Sequence, residues 1–103
     1  MIKPTVGRIV WFYPLSDDSD FYMFPSVRAG EPLAAIVAHV WGDSCVNLAV
    51  FDPNGKSHTR TSIMLFQHDS VLRPSCGYCG WMPYQVGQAR AAAAAAAAPE
   101  AAK

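Results

Sequence analysis

Charge is scarce in this chain, and neither sign is in excess: eight Lys and Arg stand against eight Asp and Glu in 103 residues. That balance argues against a protein that holds nucleic acid by neutralising many phosphates, so nucleic acid is not an expected partner. Long apolar runs are missing as well. The stretch MIKPTVGRIVWFYPLSDD meets Pro14 and an acidic cluster before a signal-peptide core or a membrane span can develop, which predicts a cytosolic protein that does not engage a membrane. Cysteine numbers three, an odd count that makes no disulfide framework. Also absent are HExxH, a P-loop, GxGxxG and a nucleophile elbow, so the chain is not expected to be an enzyme or to carry a cofactor.

The one stretch that looks like chemistry is CGYCGWMPYQ, residues 76–85. A redox CxxC needs its first cysteine at a helix N-terminus, and Gly80 and Pro83 follow too closely for a helix there. Zinc needs four ligands, and only one CxxC pair is present, with Cys45, His39, His58 and His68 scattered singly. Cys76 and Cys79 are therefore read first as a glycine-bearing turn whose cysteines act as small hydrophobes, with a metal site as the remote alternative.

What is present is strand material. Half of the residues are apolar, enough for one modest core. GRIVWFY (7–13) is β-branched and aromatic and stops at Pro14. LAAIVAHVW (33–41) is apolar on both faces: Ala34, Ile36, Ala38 and Val40 on one, Ala35, Val37, His39 and Trp41 on the other. Both faces call for cover, which predicts a homo-oligomer. CVNLAVF (45–51) follows a GDS turn, and DPNG (52–55) sets a tight hairpin into KSHTRTSIMLFQ (56–67). GWMPY supplies a last short strand closed by Pro83.

Two segments lie outside this pattern. The long connection 15–32 holds an apolar knot, Phe21, Tyr22, Met23 and Phe24, which either folds back onto the barrel mouth or offers a partner-binding edge. From 89 to 103 the chain is alanine-rich and is read as a frayed helix or disordered tail after a domain at 1–88. The expected architecture is all-β: a small, strongly bent antiparallel SH3-like barrel or roll of about five strands, with a two-sheet sandwich as runner-up.

For ligand binding, Arg60 offers a planar donor fork beside the hydroxyls of Thr61 and Ser62, a set suited to phosphate or carboxylate. Trp41, Trp81 and Tyr84 offer stacking surface for a planar group such as a nucleobase. A solvated hairpin edge and ordinary aromatic packing are the plainer readings of the same residues.

PTVGRIVWFYP (4–14), AAIVAHVWGDSCVNLAVFDPNG (34–55), RTS (60–62) and WMPYQVGQA (81–89) together resemble a group of small proteins encoded by tailed bacteriophages and prophages, without an assigned function. The resemblance spans most of 4–89. The DFYMF loop, Cys76 and the polyalanine tail depart from the group's pattern. It implies a non-enzymatic binding protein acting in the cytoplasm of an infected bacterial host. Its partner would be a nucleotide-derived signal of host immunity, which it sequesters, or a host or virion protein.

Overall fold

The computed structural model describes residues 2–15, 18–67 and 77–97. Its elements are β1 (Ile9–Tyr13), α1 (Pro25–Arg28), β2 (Leu33–Gly42), β3 (Cys45–Phe51), β4 (Ser57–Phe66), β5 (Tyr78–Gly80) and α2 (Pro83–Ala97). The five strands close into a barrel in chain order. The small all-β barrel expected from the strand pattern is the fold. β1 is antiparallel to both β2 and β5, and β2, β3 and β4 form successive hairpins. Only the β4/β5 junction is parallel, which requires a long crossover. The chain between Phe66 and Tyr78 supplies it; residues 68–76, including His68 and Cys76, lie outside the described residues.

Bulges let such short strands close. The β2/β3 register slips between Val37 and His39 and again between Val40 and Gly42, and β3/β4 slips between Val46 and Leu48. An extra residue on one strand bends the ladder and raises its twist. It also resets which side chains face in. Leu33, Ala35 and Val37 are buried, but beyond the slip His39 and Trp41 lie outside while Val40 packs against the core. The strict alternation that placed Ala35, Val37, His39 and Trp41 on one face is corrected by that bulge.

Val10, Phe12, Val46, Leu48, Val50, Leu65 and Cys79 fill the interior. Cys79 stands opposite Phe12 on one side and Leu65 on the other, so it is a strand residue of the core rather than part of a turn. Burial pushes its thiol up to about 12. The last strand therefore lies at 78–80, not 80–84. Pro83 opens α2 instead of ending a strand, since the first helical turn needs no N–H from it.

Beyond β5 the barrel end is closed by polar pairing. The buried Gln67 accepts hydrogen bonds at Oε1 from the Ile2 amide (3.1 Å) and Trp81 Nε1 (3.0 Å). Its Nε2 donates to the carbonyls of Ile2 (2.9 Å) and Asp43 (2.7 Å). α2 then docks by its first turns: Val86 and Ala89 touch the core, and Gln85 Nε2 donates to the Ile9 carbonyl (2.8 Å). The helix runs through position 88/89, where the tail was read to begin, and Ala91 to Ala95 are exposed. No helix among the described residues is long and apolar enough to cross a membrane.

Candidate functional site

The six residues singled out for ligand binding fall into three separate places. Arg60 projects from β4 towards the first connection, where Nη2 donates to both oxygens of Asp18 (2.7 and 2.9 Å) and to Asp20 Oδ2 (2.7 Å). Nη1 donates to the Thr59 carbonyl (2.6 Å), and the guanidinium lies 5.0 Å from the Phe21 ring centre. Its fork is thus occupied by the chain's own carboxylates. His58 extends the network, with Nε2 2.9 Å from Asp52 Oδ2 and Nδ1 3.7 Å from Asp20 Oδ2. The hydrogen bond from Arg60 holds the Asp20 carboxyl below its ordinary value, and the one from His58 does the same for Asp52.

This network fastens the connection down. Phe21 is buried at the barrel mouth, 6.3 Å from the Phe12 ring and edge-on to His58 at 4.9 Å. Phe24 packs against the core behind it, and Pro25 opens the single turn of α1. Tyr22 and Met23 point outward, 61% and 71% exposed. The apolar knot therefore divides into two inward anchors and two outward side chains. Arg28 lies 5.1 Å from the Tyr22 ring and donates to the Tyr22 carbonyl.

Trp41 and Ser62 meet at a second place, on Asn47. Asn47 Oδ1 accepts from Trp41 Nε1 (2.9 Å) and from the Ser62 amide (2.8 Å). Ser62 sits at φ 53° in the β3/β4 bulge, and Asn47 stabilises that left-handed backbone by taking its N–H. The Trp41 ring stays exposed, edge-on to His39 at 4.5 Å. Thr61, which precedes Ser62 in β4, is exposed.

Trp81 and Tyr84 belong to the third place, beside α2. Tyr84 is exposed, its hydroxyl accepting from Gln88 Nε2 (2.7 Å). Trp81 lines a groove of about 410 Å³ between the barrel and α2, together with Tyr13, Phe66, Tyr78, Gly80, Pro83, Val86, Gly87 and Arg90. Tyr13 and Tyr78 stack at 4.8 Å, and Phe66 meets Tyr78 edge-on at 6.2 Å. Neighbouring strands make this wall, because Tyr13 pairs with Tyr78, and Met64 and Phe66 with Tyr78 and Gly80. Arg90 is the one charged residue in the lining, and it has no carboxylate partner among the described residues.

The groove combines the half-buried rings of Tyr13 and Phe66 with the buried Tyr78 and Trp81, a volume within the range of small-molecule sites, and a cation without a carboxylate partner among the described residues. Of the six named residues it contains Trp81 alone. Arg90 falls in the segment assigned to the tail, and Val86 and Gly87 lie at the end of the domain with nothing local to place them at a site. The only signal for them was a glycine and an arginine interrupting an alanine-rich helix. Among the described residues no cluster of three His, Cys, Asp or Glu side chains is placed to hold a metal ion. Comparison of the chain with protein-family models, with curated proteins and with solved structures gives no match.

Proposed function

We propose that this is a non-enzymatic, phage-encoded protein that captures a small ligand, a nucleotide-derived signal of host defence, in the groove between β5 and α2. The observation that supports it is the groove itself: Tyr13, Phe66, Tyr78 and Trp81 around about 410 Å³, with Arg90 at the lining. Nucleobases stack on such faces whatever their sequence identity, and an arginine fork matches a phosphate. The resemblance to small phage proteins supplies the biological setting, the cytoplasm of an infected bacterium. A ligand that binds only the folded protein must raise its melting midpoint. A panel of linear and cyclic nucleotides is expected to contain at least one that does so, and a panel without any shift refutes capture.

A second reading has its own observation. Tyr22, Met23 and Trp41 are large, apolar and more than 60% exposed, and Ala34 and Ala38 leave the outer face of β2 uncovered. A host or virion protein, or a second copy of the chain, would cover such surface. Sedimentation at the mass of a monomer across micromolar concentrations counts against the second copy. Equal recovery of host proteins by the intact chain and by a Tyr22→Ser, Met23→Ser variant counts against the partner.

A further inference from the structure

Gly87 has no reason of its own to be glycine. It lies inside α2, where glycine weakens a helix relative to alanine, in a segment that otherwise uses alanine freely. Its backbone is not among those with positive φ, which are Gly7, Gly30, Gly55 and Gly77. A methyl group built on it meets no atom within 4 Å, so packing among the described residues does not exclude a side chain either. Gly77 is different, since its φ is 72° and an added methyl meets Leu15 at 3.3 Å. The space freed at position 87 opens into the aromatic groove, whose lining includes Gly87.

Helical spacing decides what else borders that space. Pro83, Val86, Gly87 and Arg90 fall at i, i+3, i+4 and i+7, a single face of α2, and all four line the groove. The helix wall therefore carries a side-chain-free step at Gly87 and, one turn further on, a guanidinium with no carboxylate partner among the described residues. The opposite wall is the Tyr13–Tyr78 stack with Phe66 and the buried Trp81.

We infer that Gly87 is the specificity-determining residue of this groove. It leaves a slot for a thin, planar aromatic ring whose anionic group reaches Arg90, so the ligand class is a flat aromatic anion carried in one molecule. The inference rests on the ligand-capture reading and adds to it which residue gates the site and which two parts of the ligand are recognised.

The test uses the full chain with three probes: adenosine 5′-monophosphate, adenosine, and ribose 5-phosphate. Together they separate ring from anion. The expected order is the monophosphate bound tightest, with each fragment weaker. Gly87→Ala should raise the melting midpoint of the free protein while weakening the monophosphate about 10- to 200-fold, the span of one misfitted methylene. Arg90→Gln should bring the monophosphate and adenosine to equal affinity. A stabilised Gly87→Ala protein that binds the monophosphate as well as the parent does overturns the inference and leaves ligand capture standing. Absence of binding by all three probes overturns it as well, and ligand capture falls only if the wider nucleotide panel is also silent. A change in sedimenting mass on Gly87→Ala, without a change in affinity, would assign the slot to a second copy and overturn the proposal.

Discussion

Of the arginines that sit beside aromatic rings in this protein, Arg60 and Arg90 are treated differently by the chain. Arg60 lies over Phe21 and is closed in by Asp18, Asp20 and the Thr59 carbonyl. Arg90 borders Tyr13, Tyr78, Phe66 and Trp81, and no carboxylate of the described residues reaches it. The first set is a finished structure: its ring is buried, its cation is neutralised, and it locks a long connection over the barrel mouth. The second has the same chemical parts without a counter-ion among the described residues. Composition does not distinguish the two settings; which side chains the fold brings within reach of each guanidinium does.

Removing the anchor of the finished set breaks the comparison most strongly. Phe21→Ala should cost about 3–5 kcal/mol, as for other fully buried aromatic side chains, read from urea unfolding. A loss below about 1 kcal/mol would mean that the mouth does not depend on its lid. Arg60→Gln keeps Phe21 but gives up the paired carboxylates. It should lower stability by less than Phe21→Ala and make the 15–32 connection easier for a protease to cut. Cleavage at the parent rate would show that the ion pairs fasten nothing.

On the unfinished side the sign reverses. Gly87→Ala should stabilise the free protein by about 1 kcal/mol, the helix-propensity difference between the two residues. A destabilised variant would reveal a packing need at position 87.

Acid gives the mildest test. Asp20 and Asp52 titrate below the ordinary carboxylate value, Asp20 mainly through the Arg60 hydrogen bond and Asp52 mainly through that from His58. Because the folded value is the lower one, their contribution is complete above the unfolded pKa of about 3.9 and is lost as pH falls further through the folded value. The Phe21 ring signals in NMR should hold steady from neutral pH down to about 4 and broaden or shift below it. Loosening that begins well above pH 4 would show that these two carboxylates do not hold the ring.

Much of the barrel was legible in the residues. DPNG made its hairpin, with Gly55 at φ 87° and Asp52 Oδ1 accepting from the Asn54 and Lys56 amides. The alternation in 45–51 matched its buried and half-buried sides throughout. The errors gathered where long-range contacts overrule local pattern. Bulges changed the inward face of β2 after Val37. The CGYCGW stretch looked like a turn because of its glycines, yet Tyr78–Gly80 was drawn into the ladder by β1 and β4, strands distant in sequence. The ligand set failed for the same reason. Arg60 and Trp81 are 21 positions apart, and nothing local indicates that Asp18 and Asp20, some forty residues earlier, reach Arg60 first.

The sequence by itself determined an all-β chain with tight hairpins, a neutral surface and an alanine-rich end, because hydrophobic period, turn chemistry and net charge are properties of neighbouring residues. Only the tertiary structure decided that β4 and β5 run parallel, that Cys79 is a core side chain, and that Arg60 is paired with Asp18 and Asp20 while Arg90 meets no carboxylate among the described residues. Each of these depends on which distant segments meet in space, and that is set by packing and by the pairing of buried charge.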